Sequence, residues 1–240
     1  MIPFLGPRDP FPRVEAALED MAGLLAIGAD LSPDRILNAY RHGIFPWGTL
    51  KGFPLWYSPD PRMVLFPEEI RISRSLRRAL RRGDYEVRLD TDFPAVIAAC
   101  AATPRPGQDG TWITGDMGAA YIRLHELGCA HSVELYQEGS LAGGLYGLAL
   151  GAMFYGESMF ARRTDASKIA FAHLVRFLVQ ENFGMIDCQM RTDHLASLGA
   201  REIPRTAFLD RLTRLLAVPR QPGPWPAGGV CLDWAGPCPY

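Results

Sequence analysis

Two strand-like segments near the middle of the chain, 130–136 and 141–148, are separated only by the turn Gln137-Glu138-Gly139-Ser140. Both segments show the alternation that is typical of strands with one buried face. A connection this short returns the second strand antiparallel to the first. We therefore expect an antiparallel hairpin here.

Helices and strands mix on either side of this hairpin, whereas the two ends of the chain differ. Further strands are predicted near 62–66, 85–89, 152–158 and 185–190, and helices near 73–82, 92–102, 115–127, 166–181 and 206–216. Before them, one helix is predicted to begin at Ser32 with Pro33 in its first turn and to end at Gly43. The sequence thus predicts a small N-terminal domain, 1–61, and a larger domain, 62–240.

Two segments rich in proline are predicted to lack regular structure. The stretch IFPWGTLKGFPLWYSPDPR, from Ile44 to Arg62, is expected to be irregular and partly rigid. The tail from Pro219 is expected to be an extended strap or a disordered end. Its tryptophans, Trp225 and Trp234, suggest that parts of it dock.

Composition excludes several classes of protein. The 240 residues are 48% hydrophobic, which is enough for a sizeable core, and no apolar run approaches the roughly 18 residues of a membrane span. Prolines interrupt the N-terminal segment where a signal peptide is continuous, so a cytoplasmic protein is predicted. The five cysteines form no C-x-x-C pair and the five histidines lack ligand spacing, so we expect free or core thiols, no metal and no cofactor.

A net charge of −1 conceals a strongly basic segment. From Arg71 to Arg88 the local charge is +5, which leaves −6 for the rest of the chain. Within it, Ser73 is the expected N-cap and Gly83 the expected stop of a short helix with Leu76, Ala79 and Leu80 on its inner face. Five outward arginines without an acid on the helix favour a phosphate-binding surface over an ordinary solvated face: Arg74, Arg77, Arg78, Arg81 and Arg82.

A single carboxylate, Glu157, lies in the run MFYGESMFARRTDASK, from Met153 to Lys168. Burial of an ionised glutamate among aromatic and methionine side chains requires a cation or hydrogen-bond donors. The partner is either an internal arginine, Arg162 or Arg163, or a bound substrate. Arg162, Arg163 and Lys168 also lie near a predicted helix start, where phosphate binds well, although Asp165 or Ser167 could simply cap that helix.

The order of the predicted elements resembles the fold of the Gcn5-related N-acetyltransferases. We therefore expect an α/β (α+β) protein whose C-terminal domain has a mixed, mostly antiparallel sheet flanked by helices. Those enzymes hold the pyrophosphate of coenzyme A on a glycine-rich loop, and this chain has ARRTDASK at that place. The difference disfavours a coenzyme A donor.

A more specific resemblance is carried by many short segments in order. They include GLLAIGADLSP (23–33), AYRHGIFPW (39–47), WYSPDPR (56–62), ISRSLRR (72–78), GTWI (110–113), FYGESMFARR (154–163), IDCQ (186–189) and DHLASLGAREIPR (193–205). From about Gly23 to Leu212 the chain resembles the bacterial leucyl/phenylalanyl-tRNA-protein transferases. It departs from their pattern at Ala29, Tyr57, Arg71 and Ala161.

The resemblance implies an activity and its partners. Members of that family transfer Leu or Phe, and less readily Met, from aminoacyl-tRNA to the N-terminal Arg or Lys of a protein, which marks the protein for degradation. An aminoacyl ester is already activated toward an amine, so positioning is the main catalytic requirement. No cofactor is implied.

The same resemblance implies the roles of individual residues. Asp187 and Gln189 are two apart in a predicted strand and should share one face, where the family places its catalytic pair; Asp187 would orient Gln189 and attract the incoming amine. Glu157 would hold the α-ammonium group of the donor. The aminoacyl slot would be lined by Leu145, Phe154, Met159, Phe171, Leu174 and Ile186, and the terminal adenosine would stack on Trp47, Trp112 or Tyr40.

Other classes of protein fit the sequence less well. A coenzyme A-dependent N-acetyltransferase should carry the pyrophosphate loop, and it would not need the arginine helix. A non-enzymatic RNA-binding protein would leave GESMF and IDCQ without a role. A cell-wall aminoacyl-tRNA transferase would take a lipid-linked acceptor, and the sequence has no evident amphipathic membrane-binding stretch.

Overall fold

The predicted central hairpin is present in the computed structural model, which describes residues 1–104 and 111–226. Strand β7 (Ala130–Gln137) pairs antiparallel with β8 (Ser140–Leu150), with Gln137 opposite Ser140 at the turn. The left-handed residues Glu138 and Gly139 form the tight connection. The hairpin is the centre of the larger of two sheets.

That larger sheet has seven strands in the order β11-β5-β10-β9-β8-β7-β6. Its pairs are antiparallel except for β9 with β10, which is parallel. The predicted mixed, mostly antiparallel sheet is therefore confirmed. The bounds of the remaining five strands are β5 Arg62–Leu65, β6 Glu86–Leu89, β9 Met153–Ala161, β10 Met185–Gln189 and β11 Arg201–Ile203.

A second sheet of four strands lies before residue 58, in the order β1-β2-β4-β3. The prediction of an irregular segment from Ile44 to Arg62 was wrong, because β3 and β4 pair antiparallel within it. Its prolines are tolerated since Pro46 lies in the edge strand β3 and Pro54 precedes the part of β4 that pairs with β2. The strands are β1 Phe4–Leu5, β2 Leu24–Gly28, β3 Phe45–Leu50 and β4 Phe53–Tyr57.

All six predicted helices are confirmed, and a short additional one occurs between β10 and β11. In α2 the Ser73 hydroxyl accepts a hydrogen bond from the backbone of Leu76, and Gly83 ends the helix in a left-handed conformation. The helices are α1 Pro33–Arg41, α2 Arg74–Arg82, α3 Phe93–Ala101, α4 Gly115–Glu126, α5 Ala166–Gln180, α6 Asp193–Ser197 and α7 Arg205–Leu216.

The parallel strands β9 and β10 are both irregular where their pairing ends. Opposite β8, strand β9 carries one extra residue between Gly156 and Ser158, which is Glu157. Opposite β5, strand β10 carries an extra residue between Asp187 and Gln189, and Gln189 is left-handed with φ of 55°. Bulges re-aim side chains at such points, so two of the candidate residues lie where the sheet opens.

The tail beyond α7 is an extended strap over residues 218–226, which agrees with one of the two predictions for it. The indole of Trp225 is buried, so the predicted docking is confirmed for this tryptophan, while Trp234 lies outside the described residues. The predicted domain boundary falls between β4 and β5 and stays a prediction. The two sheets share buried side chains, since Trp56 of β4 and Tyr155 of β9 belong to one apolar cluster.

Cys100, Cys129 and Cys188 are buried core thiols, as expected, and form no disulfide within the described residues, while Cys231 and Cys238 lie outside them. Among the helices of residues 1–104 and 111–226, none combines the length and the apolarity that a membrane crossing requires.

Candidate active site

A cavity of about 380 Å³ opens where β9 and β10 separate. Its walls are mainly apolar and come from β3, β8, β9, β10, α5 and α6. Such a volume is typical of a small-ligand site. The residues of the predicted slot all line it: Leu145, Phe154, Met159, Phe171, Leu174 and Ile186.

Polar side chains converge on this mainly apolar cavity, which distinguishes it from a larger groove elsewhere in the described part of the chain. Glu157 and Gln189 line it, together with Trp47 and Trp112 at its aromatic side. The other groove, of about 780 Å³, lies between residues 7–15 and helices α1 and α7, and its lining mixes charged side chains with proline and aliphatic ones. An apolar enclosure with a few convergent polar groups is the better candidate for an active site.

Glu157 is held by hydroxyl groups and not by a cation. Tyr40 donates to Oε1 at 2.7 Å and Tyr121 donates to Oε2 at 2.9 Å. Neither internal ion pair considered from the sequence forms: Arg163 pairs with Glu138 at 3.4 Å, and Arg162 donates to the backbone of Leu141 at 3.3 Å. Within the described residues, no lysine, arginine or histidine forms an ion pair with Glu157.

Burial raises the pKa of Glu157 to about 7. The hydrogen bonds from Tyr40 and Tyr121 oppose this shift, the negative charge of Asp187 adds to it, and the charge of Arg62 opposes it. A carboxylate with this pKa is poised to ionise when a cation approaches. The site can therefore accept a ligand ammonium group at little electrostatic cost.

Tyr40 has a different role from the one predicted. Its side chain is fully buried, and its hydroxyl lies 2.6 Å from that of Tyr121, so a nucleobase cannot stack on it. Burial and the neighbouring Glu157 carboxylate raise the pKa values of both tyrosines well above the ordinary range, so they remain protonated. The assignment of Tyr40 to adenosine is thus corrected: it positions Glu157.

Gln189 joins the same polar cluster from the adjacent strand. Its Nε2 donates to Glu157 Oε1 at 3.2 Å, which leaves the side-chain carbonyl oxygen directed away from that bond. Its backbone N–H donates to Asp187 Oδ1 at 3.0 Å. The bulge places Ile186, Cys188 and Gln189 all on the cavity, so the alternation expected of a regular strand is not kept.

Asp187 lies behind the cavity wall and does not line it. Its carboxylate receives two bonds from Arg62, with Nε to Oδ1 at 2.8 Å and Nη2 to Oδ2 at 2.7 Å, and both side chains are fully buried. The expectation that Asp187 attracts the incoming amine is therefore corrected, because its charge is already neutralised by a guanidinium. What it does is fix the backbone of Gln189.

Residues from several parts of the chain enclose the guanidinium of Arg62. Its guanidinium lies 4.7 Å from the ring centroids of both Phe45 and Phe208, and Nη1 donates to the carbonyl of Gly43 at 3.1 Å. Such contacts satisfy a buried guanidinium. Strand β3, strand β5, strand β10 and helix α7 thus meet at one buried ion pair.

Sequence reasoning missed Arg62 and Tyr121, although weak signals existed. Arg62 is the lone charge at the start of the apolar strand RMVL. Tyr121 follows Met117 by one helical turn, on the buried face of α4, as Tyr40 follows Ile36 on α1. These spacings identify inward positions, but they do not identify the partner.

The predicted basic surface is present on α2. Its five arginines are exposed, and Leu76, Ala79 and Leu80 pack into the apolar cluster that also contains Phe171 and Leu174 of α5. Near the start of α5, Arg162 and Arg163 are exposed, and Lys168 pairs with Asp165 at 3.1 Å. Neither Asp165 nor Ser167 caps the helix with a side-chain hydrogen bond.

No group of three or more histidine, cysteine, aspartate or glutamate side chains suited to a metal ion occurs in residues 1–104 and 111–226. The absence of a metal and of a cofactor remains a prediction.

Comparison with known sequences gives one consistent result. The family described as leucyl/phenylalanyl-tRNA protein transferase matches residues 64–213, and its N-terminal domain matches residues 29–60. The leucyl/phenylalanyl-tRNA–protein transferase of Dechloromonas aromatica (strain RCB) is 70% identical over 90% of this chain and 93% of its own length. Those of Nitrosomonas europaea and Cupriavidus necator are 58% and 56% identical, over 90% and 98% of this chain and 91% and 97% of their own lengths.

Two solved structures illustrate a distant similarity of fold. A GCN5-related N-acetyltransferase from Kribbella flavida aligns with a TM-score of 0.36 and 11% identity, over 69% of this chain and 59% of that one. L-PGS from Bacillus licheniformis aligns with a TM-score of 0.38 and 11% identity, over 74% and 59%. These scores carry no argument about function.

The raised pKa of Glu157 predicts a pH-dependent stability. A folded-state pKa of about 7 lies above that of an unfolded glutamate, so the stability contributed by the protonated form is lost as the pH rises to about 7. Glu157→Gln removes this loss. Relative to wild type, the variant should gain about 2 kcal/mol in unfolding free energy between pH 5 and pH 8, measured by urea denaturation.

The matched control is Glu126→Gln, because Glu126 is an exposed carboxylate at the end of α4. Its stability relative to wild type should change little over the same range. A pH-independent difference for Glu157→Gln would contradict the assignment.

Proposed function

The chain belongs to the leucyl/phenylalanyl-tRNA protein transferase family, and on that basis we propose that it transfers Leu or Phe from aminoacyl-tRNA to the N-terminal amine of a protein. The observation that carries the proposal is Glu157, an acid at an apolar cavity with no cation of the described chain paired to it. A bound aminoacyl group supplies both an apolar side chain and an ammonium group.

The donor is oriented by these two features together. The side chain of the aminoacyl group enters the cavity, and its α-ammonium group forms an ion pair with Glu157. Tyr40 and Tyr121 keep the carboxylate in place through their hydroxyl groups. A charge-assisted bond of this kind is worth roughly 1.5–3 kcal/mol.

The proposed selection of Leu and Phe requires a slot that tightens near Cβ of the bound aminoacyl group. Both side chains are unbranched at Cβ, whereas Val and Ile are branched and stiff there. A slot that is narrow near the α-carbon and wider beyond it admits the first pair and rejects the second. Met is also unbranched and flexible, so it is a poorer but acceptable donor.

The nucleic acid is held outside the cavity. Trp47 and Trp112, which line its aromatic side, offer rings on which the terminal adenosine can stack. The exposed arginines of α2 bind the acceptor stem through its phosphates, with little dependence on sequence. Arg162, Arg163 and Lys168 add to this surface when phosphate replaces their present acidic or carbonyl partners.

The reaction is an attack of a neutral amine on the aminoacyl ester. The amine nitrogen bonds to the carbonyl carbon, the bond to the 3′ oxygen of the ribose breaks, and that oxygen leaves with the proton lost by the amine. Gln189 accepts a hydrogen bond from the attacking amine through its side-chain carbonyl, because its Nε2 is committed to Glu157. Asp187 and Arg62 hold Gln189 without touching the substrate.

The acceptor is proposed to be a protein with N-terminal Arg or Lys, as in the family that the sequence resembles. The new N-terminal Leu or Phe would mark that protein for degradation. Since aminoacyl-tRNA is the donor, the protein would act in the cytoplasm.

The direct test is label transfer from leucyl-tRNA and phenylalanyl-tRNA to a peptide that begins with Arg, with valyl-tRNA and acetyl-CoA as alternative donors. Leucyl- and phenylalanyl-tRNA should be used, and the other two should not. Glu157→Gln should lower the specificity constant at least about tenfold, because it removes a charge-assisted bond.

In the same assay Glu126→Gln serves as a matched control and should leave transfer unchanged, since Glu126 lies at the exposed end of α4. Transfer from acetyl-CoA, or undiminished transfer by Glu157→Gln, would overturn the proposal.

The role of α2 predicts a steep salt dependence. Each arginine that contacts phosphate adds close to one unit to the slope of log specificity constant against log salt. Arg77 and Arg81 are exposed and one helical turn apart. Replacing both with Gln should make the slope shallower by about 2.

The equivalent double replacement of Arg13 and Arg123, exposed arginines outside α2 that each pair with a nearby glutamate, should leave the slope unchanged. Equal slopes for both double variants would place the tRNA elsewhere.

A further inference from the structure

Trp225 is a large buried side chain in a segment that has no helix or strand. It is 8% exposed, although it lies in the strap that follows α7. A tail that merely ends the chain has no need to bury an indole against the catalytic sheet. The contacts of this ring indicate what it does.

Polar groups fix the strap at Trp225 itself and upstream of it. The backbone N–H of Trp225 donates to Asp90 Oδ2 at 2.9 Å, and the same carboxylate group binds His131 Nδ1 at 2.7 Å. The indole is stacked on the His131 ring, with centroids 4.1 Å apart and planes within 2°. Upstream, Arg220 donates to the carbonyls of Gly151 and Glu181 at 3.0 and 2.6 Å.

The indole also contacts Phe154 and Phe177. Ring centroids are 5.8 Å apart for Phe154 and 4.7 Å apart for Phe177. Phe154 lines the aminoacyl cavity, whereas Trp225 does not. Trp225 therefore lies behind a wall residue, on the side away from the cavity.

The Phe154 ring has little freedom on another side. A Cβ atom at Gly147 would lie 2.5 Å from Cζ of Phe154, so the ring already packs directly against the β8 backbone. In an interior packed this densely, removal of one side chain lets the adjacent side chains shift partly into the space that it leaves. Trp225 contacts the Phe154 ring from the strap, which lies outside the sheets and helices.

We propose that Trp225 is a positioning residue that sets the depth of the aminoacyl cavity by holding Phe154 forward. The inference rests on the proposed function and adds a determinant of donor choice that lies outside the cavity. With the indole in place, the cavity is limited in depth and the smaller isobutyl group of Leu fits against Phe154. Without the indole, Phe154 can move back, and the longer benzyl group of Phe then fits the deepened cavity better.

The test is the ratio of specificity constants for phenylalanyl-tRNA and leucyl-tRNA, measured on the same protein sample. A ratio cancels the fraction of folded enzyme, so loss of stability alone does not change it. Trp225→Ala should raise the Phe-to-Leu ratio of specificity constants about fivefold. The expected change is smaller than the full effect of a methylene group, because the cavity deepens only in part. Trp225→Phe should give a smaller shift in the same direction.

The matched control is Pro226→Ala, the exposed neighbour of Trp225 in the same strap. Its ratio should equal that of wild type. A ratio in Trp225→Ala within twofold of wild type, or shifted toward Leu, would overturn the inference even if total activity fell.

A binding measurement separates this inference from the proposed function. L-Leucinamide and L-phenylalaninamide carry the side chain and the α-ammonium group without tRNA, and their affinities can be measured by calorimetry. If wild type transfers nothing from either tRNA, the proposed function fails. A shift of the affinity ratio toward phenylalaninamide in Trp225→Ala would still support the positioning role, and an unchanged ratio would reject it.

Discussion

The buried ion pair between Arg62 and Asp187 is the interaction on which the site depends. Removing one partner of such a pair typically costs about 3–5 kcal/mol, because a charge is left unpaired in the interior. Here the guanidinium is also enclosed by Phe45 of the first sheet and Phe208 of the last helix. Side chains of both sheets and of α7 therefore surround the ion pair that holds the backbone of Gln189.

The polar cluster at the cavity follows from that assembly. Tyr40 comes from α1, Tyr121 from α4, Glu157 from β9 and Gln189 from β10. A carboxyl group surrounded by two hydroxyl groups and an amide is satisfied without a cationic partner. It can therefore ionise and form an ion pair when a ligand ammonium group binds, which explains how an acid can be retained at an apolar slot.

Local signals predicted much of the fold, but long-range contacts decided the chemistry. Ser73 and Gly83 were sufficient to place α2, and the short turn placed the central hairpin, because these features act within a few residues. The resemblance to a family supplied the six residues of the apolar slot. The buried partners of Asp187 and Glu157 could not be predicted from neighbouring residues in the sequence. The strands near Pro46 and Pro54 were missed because proline usually argues against a strand.

The interaction proposed for Glu157 is recognition of the α-ammonium group of the donor. It is tested most directly by comparing leucyl-tRNA with its α-hydroxy analogue, in which a hydroxyl replaces the ammonium group, on wild type and Glu157→Gln. Wild type should bind leucyl-tRNA about tenfold more tightly than the analogue, and the variant should bind both alike. An equal preference in the two proteins would show that Glu157 does not contact that group.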